Sequence, residues 1–237
     1  MIKISDTYRS TQEEIMDDFA LQGKELELLL NDLKRVNKLL GGNAITINGL
    51  KKILTHKQSG QITIVDVGCG DGELLRQCAK FTRKKGWDCL FIGIDANEHI
   101  LKTAEERSTS FPEISYKIMN VLSPKIKEIS ADVFLCTLFL HHFKNEQISQ
   151  VLNNFMKQAK IGVVVNDLER SKIAFTLFKL FSTIFIKTRI AKHDGLVSVA
   201  RGFKKNELFK ISEKIAFNNQ TIQWKWAFRF QWILFKK

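Results

Sequence analysis

The sequence predicts an α/β fold organised on a doubly wound, mainly parallel sheet, and three observations lead there. First, apolar runs of strand length, among them Ile62 to Val67, Cys89 to Asp95 and Ile161 to Asn166, alternate with segments whose apolar residues recur every three or four positions. Strands joined by crossover helices give that alternation. Second, the first run leads into Val65-Asp-Val-Gly-Cys-Gly-Asp-Gly-Glu-Leu-Leu75, where three closely spaced glycines precede a helical pattern. Third, 44% hydrophobic residues and two prolines in 237 positions suit one large core and leave no low-complexity linker, so a single domain over 1–237 is expected.

The elements follow in order. Residues 11–58 read as an N-terminal helical extension: Leu26, Leu29, Leu30, Leu33, Val36, Leu39 and Leu40 share helical spacing up to a stop at Gly41-Gly42. A second helix runs from Ala44 or Thr46 to His56, and Gln58-Ser-Gly60 turns into the first strand. The core, 60–170, continues with a helix from Glu73 to Lys85, the strand to Asp95, a helix from Asn97 to Arg107, strands from Ser115 to Met119 and Asp132 to Leu138, a helix from Glu146 to Lys160 and a strand to Asn166. Residues 171–203 form a lysine-studded helical lid insertion. Residues 204–237 add a helix near Asn206 to Lys214 and a tail rich in aromatic and β-branched residues.

The glycine turn defines the ligand class. Gly68, Gly70 and Gly72 allow positive φ and bring main chain close to a ligand. Their Gly-x-Gly-x-Gly spacing differs from the dinucleotide fingerprint, and no Lys-Ser/Thr pair follows as in a P-loop. Asp66, Asp71 and Glu73 surround the turn with carboxylates, which disfavours a pyrophosphate and favours a neutral or cationic ligand. A sulfonium such as S-adenosyl-L-methionine fits. Asp95 ends the second strand, at the edge where a carboxylate can accept both hydroxyls of a ribose.

With the turn at 66–72, Asp95, Asn120-Val-Leu and Ala131-Asp-Val-Phe-Leu-Cys-Thr-Leu-Phe-Leu-His-His-Phe143 in that order, the chain resembles the class I S-adenosylmethionine-dependent methyltransferases over roughly residues 60–170. The resemblance implies a Rossmann-like sheet of seven strands, the last two from the tail and one of them antiparallel. It implies S-adenosyl-L-methionine as cofactor, bound by Asp66, Gly68, Cys69, Gly70 and Gly72, by Asp95 and Ala96, by Asn120 and Val121, and by Thr137 and Leu138 near the sulfonium. Many family members carry Asp where this chain has Asn120, so the adenine amino group is left to an amide oxygen or to backbone. Asn166 to Phe203, with the Leu-rich helix ending in Gly41-Gly42, resembles a narrower bacterial group associated with type III polyketide synthases. That resemblance implies O-methylation of a hydrophobic phenolic or polyketide-like small molecule in secondary metabolism.

Methyl transfer from a sulfonium needs an aligned acceptor and, for a phenol, a base. His193, its tautomer fixed by a carboxylate such as Asp167, is the first candidate, ahead of His141 and His142, which follow the strand carrying Thr137. The plainer readings are that a histidine of the pair caps or packs the next helix, and that Asp194 caps a Gly-containing loop. Between Ser171 and Lys187, Lys172, Thr176, Lys179, Thr183 and Lys187 form one polar stripe on an otherwise apolar helix. That helix is ordinary core, the roof of a greasy acceptor pocket, or a peripheral membrane contact with snorkelling lysines.

Net charge is +12, but the basic residues are scattered and lack interleaved aromatics, so a nucleic-acid partner is not expected. The alternatives are a nucleic-acid or protein methyltransferase and a non-catalytic cofactor-binding module. The former lacks the Asn/Asp-Pro-Pro-aromatic motif, Thr137-Leu-Phe-Leu standing in its place. Cys69, Cys78, Cys89 and Cys136 show no metal-ligand spacing; a reduced, cytoplasmic setting without metal is expected. No signal segment is evident, nor a run near the ~20 apolar residues of a spanning helix.

Overall fold

The computed structural model describes residues 2–18, 21–55 and 60–236. Seven strands form one sheet in the order β3-β2-β1-β4-β5-β7-β6, where β1 is Ile62–Val67, β2 Cys89–Asp95, β3 Ile114–Ile118, β4 Ala131–Thr137, β5 Ala159–Leu168, β6 Asn219–Lys225 and β7 Arg229–Phe235. The first five pair in parallel, and β7 runs antiparallel to both β5 and β6. This is a Rossmann-like, doubly wound α/β sheet. The order reverses between β1 and β4, which opens a crevice at the carboxyl ends of those strands.

Each face is covered by helices whose apolar stripes match the sheet. On one face α2 (Gly42–Ile53), α3 (Glu73–Lys85) and α4 (Glu98–Arg107) contribute Leu50, Leu75, Cys78 and Leu101 to a core with Ile64, Phe91 and Leu135. On the other, α5 (Asn145–Gln158) and α8 (Lys205–Ser212) pack Val151, Phe155, Leu208 and Ile211 against Val65, Phe134 and Trp232. Asn97 caps α4, its side chain accepting from the amides of His99 and Ile100.

The N-terminal extension is less helical than its spacing suggests. After an extended segment, Ile15–Asp17 make one 3-10 turn, and α1 spans Gly23–Leu39. Leu26, Leu29 and Leu30 are buried as expected, whereas Leu39 is exposed. The expected helix end at His56 and the turn at Gln58-Ser59 lie outside the described residues.

The insertion forms two helices, α6 (Lys172–Phe185) and α7 (Arg189–Arg201), so the loop expected around Gly195 is helix interior. Glycine is required there by packing: a Cβ on Gly195 would lie 2.2 Å from the Phe178 ring of α6. The buried Asp32 of α1 ties the insertion to the extension, accepting from the amides of Lys187 and Thr188 at 3.0 and 2.7 Å. Those amides open α7, where a carboxylate also meets the positive end of the helix dipole.

Candidate active site

At the carboxyl edge of β1, β2 and β4 lies a cavity of about 460 Å³. Its floor is the glycine turn. Gly68, Gly70 and Gly72 all have φ between 53° and 73°, but the three are not equivalent. A Cβ on Gly68 would come within 2.3 Å of Phe139 and one on Gly72 within 2.0 Å of the Tyr116 hydroxyl, whereas at Gly70 nothing lies within 4 Å. Gly70 is therefore the position that leaves open space for a ligand, while Gly68 and Gly72 are held by packing. Gly72 does not line the cavity; every other residue assigned above to the cofactor does.

The acidic character of the turn is more local than the sequence indicates. Asp71 is paired with Arg76 and Arg107, and Glu73 with Lys34 and Arg76. Asp66 and Asp95 remain to meet a cation. Burial and the neighbouring Asp95 push the Asp66 carboxyl well above the carboxylate range, and its Oδ1 is buried without a hydrogen-bond partner. Burial also raises Asp95, against the stabilising amides of Asn97 and Gly70, from which it accepts at 3.0 Å each. A sulfonium cofactor with a primary ammonium fits this wall, because it brings the positive charge and donors that two raised, half-satisfied carboxylates lack. Asn120 departs from expectation: its side-chain oxygen accepts from the Leu122 amide at 2.8 Å, closing its own turn.

The opposite wall is built at the ends of β4 and β5. Thr137 bonds Thr46 of α2 at 2.8 Å, and the buried Asn166 donates to Thr46 and to the Gly42 carbonyl. Leu138 then takes φ 52°, unusual for a branched side chain, and donates its amide to the Asn166 carbonyl. The tight turn that follows carries Leu140 and His141 onto Asp167.

That carboxylate, 1% exposed, accepts from the Leu140, His141 and Leu168 amides and lies 2.7 Å from His141 Nδ1. Burial opposes a charge on Asp167, yet His141 and the amides hold its carboxyl below the usual range. For His141, burial alone would depress the pKa; the carboxylates of Asp167 and Glu14 outweigh it and lift it to about 9. His141 Nε2 lies 3.3 Å from Glu14 Oε1 without hydrogen-bond alignment. His142 beside it turns Nδ1 to Asp17 at 3.2 Å.

Glu14 and Asp17 belong to the N-terminal segment, which α7 holds in place. Asp194 accepts from the Ile15 and Met16 amides at 2.9 Å each, and Ser198 donates to Glu14 at 2.7 Å. Burial disfavours the charge on Glu14, but His141, His142 and Ser198 keep its carboxyl below the usual range. Arg201 and Arg9 brace the turn from outside by donating to the His141 carbonyl, Arg201 reaching that of His142 as well.

The sequence-derived catalytic set thus separates. His141, His142 and Asp167 come together, whereas His193 does not line the cavity; its Nδ1 lies 2.8 Å from Asp194, its own neighbour in sequence, and Asp167 holds His141 instead. The lid also differs. Leu30, Leu33 and Asn37 of α1 and Glu14, Met16 and Asp17 cover the cavity, and Ser198 is the one residue of 171–203 lining it. Glu14 and Asp17 were missed because two acids in an aperiodic segment carry no signal of their own. Donor atoms of Glu14, His141 and His142 lie within 4.8 Å of one another, close enough for a shared proton or a metal ion. All four cysteines are buried and outside any disulfide, and burial raises the Cys69, Cys78 and Cys136 thiols.

Residues 64–162 match the family described as a methyltransferase domain. The carboxy-S-adenosyl-L-methionine synthase of Helicobacter pylori is 26% identical over 199 residues, 79% of each chain. Among solved structures, the plantazolicin methyltransferase in complex with S-adenosylhomocysteine superposes with a TM-score of 0.69 at 10% identity, covering 93% of each chain. Magnesium protoporphyrin IX methyltransferase from Synechocystis PCC 6803 gives 0.57 at 13% identity over 88% of this chain and 94% of that one. The methyltransferase domain of the citrinin polyketide synthase gives 0.58 at 12% identity, over 79% and 50%.

Proposed function

We propose, from the match of residues 64–162 to a methyltransferase domain, that the chain is a class I S-adenosylmethionine-dependent methyltransferase and that it methylates an oxygen of a hydrophobic small molecule, His141 taking the acceptor's proton. One observation carries the proposal. Lining the same cavity as the glycine turn, an imidazole has one nitrogen fixed by Asp167 and the other buried 3.3 Å from Glu14 without hydrogen-bond alignment. The cofactor supplies the methyl group on a sulfonium, which leaves without needing an acid. The protein's tasks are to bind, align and deprotonate the acceptor.

Matching of acidities favours a phenol. Proton transfer is most efficient between groups of similar pKa, and a phenol at about 10 lies within roughly a unit of His141 at about 9, far closer than an aliphatic alcohol. Leu30, Leu33, Met119, Leu138, Phe139 and Phe143 give the cavity an apolar lining suited to an aromatic or alkylated body and to exclusion of water. The phenolic or polyketide-like class also rests on the resemblance to methyltransferases that accompany type III polyketide synthases. A carboxylate-bearing acceptor is poorly matched: among the described residues Lys34 is the lone Lys or Arg of the lining, and it is paired with Glu73 at 3.0 Å. We assign the whole of 1–237 to this one domain, and a reducing, cytoplasmic setting on the four buried cysteines, none of them in a disulfide.

The test offers the purified protein S-adenosylmethionine with phenols of increasing alkyl length and follows products by mass spectrometry. A methyl ether and S-adenosylhomocysteine are expected, with His141→Gln and Asp167→Asn lowering kcat about 10²-fold or more. Methyl transfer to RNA or peptide but to no phenol would overturn the acceptor class. A carboxylated sulfonium as product would assign instead the chemistry named for the Helicobacter pylori relative. Unchanged kcat in His141→Gln would remove the base.

A further inference from the structure

We infer that the outer face of α6 docks on an anionic lipid bilayer. Ile173, Leu177, Leu180 and Ile184 follow one another at intervals of four, three and four residues, which places them on one helix face. They are 65%, 51%, 59% and 74% exposed, while the opposite face buries Ala174 and Ser182 and packs Phe178 and Phe181 against the cluster of Leu29, Ile186 and Ile190. A soluble helix normally does the reverse, turning its aliphatic residues inward. The stripe is not the roof of the cavity, since no α6 residue lines it.

Charge identifies the occupant. Beside the aliphatic stripe, one step around the helix, run Lys172, Thr176, Lys179 and Thr183, all exposed, with Lys172 paired to Asp6 at 2.6 Å and Lys179 left to meet a phosphate. From Ser171 to Lys192 the chain holds five basic residues, Lys172, Lys179, Lys187, Arg189 and Lys192, and no acidic one. Apolar side chains flanked by lysines and hydroxyls suit the headgroup boundary, where aliphatic groups enter the acyl region and the ammonium groups reach phosphates. A second copy of the same face would bring Lys179 against its equal. Spanning is excluded by length: α6 has 14 residues, and no helix among the described residues is long and apolar enough to cross a membrane.

The docked helix sits on the cavity's side of the fold. It follows β5 at the carboxyl edge of the sheet and packs through Phe178 on α7, which carries Ser198 at the cavity wall. A bilayer there is a reservoir for apolar acceptors close to the site, but docking itself does not depend on what is methylated.

The test is sedimentation of the full chain with vesicles of phosphatidylcholine alone and of phosphatidylcholine with phosphatidylglycerol. Binding is expected to the anionic vesicles, to weaken as salt rises, and to fall about tenfold or more in Leu180→Glu and in Ile184→Glu. Lys179→Glu should weaken it too, and all three variants should keep wild-type cofactor affinity by calorimetry. Failure of the wild-type chain to sediment with anionic vesicles overturns the inference, as does undiminished binding by both glutamate variants. A dimer that dissociates on Ile184→Glu without any vesicle binding would assign the face to a second copy instead.

Discussion

Replacing His141 with glutamine tests the centre of the site through its pH dependence. The imidazole has a folded-state pKa of about 9 against 6.5 for the free group. The folded protein therefore binds this proton more tightly than the unfolded chain, by 2.5 units at about 1.4 kcal/mol each, or about 3 kcal/mol. Because the folded pKa is the higher one, that stabilisation is whole below pH 6.5 and is lost as pH rises through 9. Asp167 and Glu14 express the same attraction from the other side as lowered carboxyl pKa values, so it is counted once. Urea unfolding of wild type and His141→Gln between pH 6 and 10 measures it, the titrations of groups other than Asp167 and Glu14 cancelling in the difference. Wild type should lose about 3 kcal/mol relative to the variant over that range. Activity should move the opposite way, because only the neutral imidazole accepts a proton: kcat/KM should climb about tenfold per pH unit and level near pH 9. A wild-type-minus-variant stability difference that is flat with pH would refute the imidazolium between Asp167 and Glu14.

Asp95→Ala should weaken cofactor binding tenfold or more by calorimetry, since charge-assisted hydrogen bonds contribute roughly 1.5–3 kcal/mol and the Gly70 amide also loses its acceptor; unchanged affinity in a folded variant would withdraw the assignment. Asp194→Ala should free the Glu14–Asp17 segment and raise the acceptor KM several-fold, while His193→Ala should alter turnover less than about threefold. A hundredfold loss in His193→Ala would move the base to α7. Thermal melts should separate two glycines of the turn: Gly70→Ala bears only the left-handed conformer's cost of about 1–2 kcal/mol but places a methyl in the cofactor's space, whereas Gly68→Ala also meets the Phe139 ring and loses more. Equal stabilities would show that the Phe139 packing does not matter.

The parallel core was legible because its signals are local. A strand buried on both faces is a continuous apolar run, as in Ile62–Val67 and Ala131–Thr137, and the helices between keep their apolar residues at helical spacing. The glycine-turn side of the cavity was legible for the same reason: in a doubly wound sheet the turn after β1 and the end of β2 border the crevice whatever the rest of the chain does. His141, His142 and Asp167 were visible as residue types at the correct sheet edge, but their pairing was not. Asp167 reaches His141 because β4 and β5 are parallel neighbours and a left-handed Leu138 folds the turn back.

What sequence reasoning misassigned lies where side chains choose partners across long separations. His193 and Asp194 resemble a base and its orienting acid, yet α7 directs Asp194 to the amides of Ile15 and Met16, 179 and 178 residues away in the chain. The lid moved from the insertion to the N-terminal segment, because the buried faces of α6 and α7 are spent on α1 and on each other. The sequence by itself determined the fold class, the glycine turn at the crevice and the excess of apolar residues on α6. Only the tertiary structure decided which acids remain unpaired around the turn, that His141 and His142 line the cavity and His193 does not, and that the aliphatic stripe of α6 points to solvent. Periodicity and glycine spacing are properties of neighbouring residues, whereas ion pairing and burial depend on which distant surface packing brings alongside.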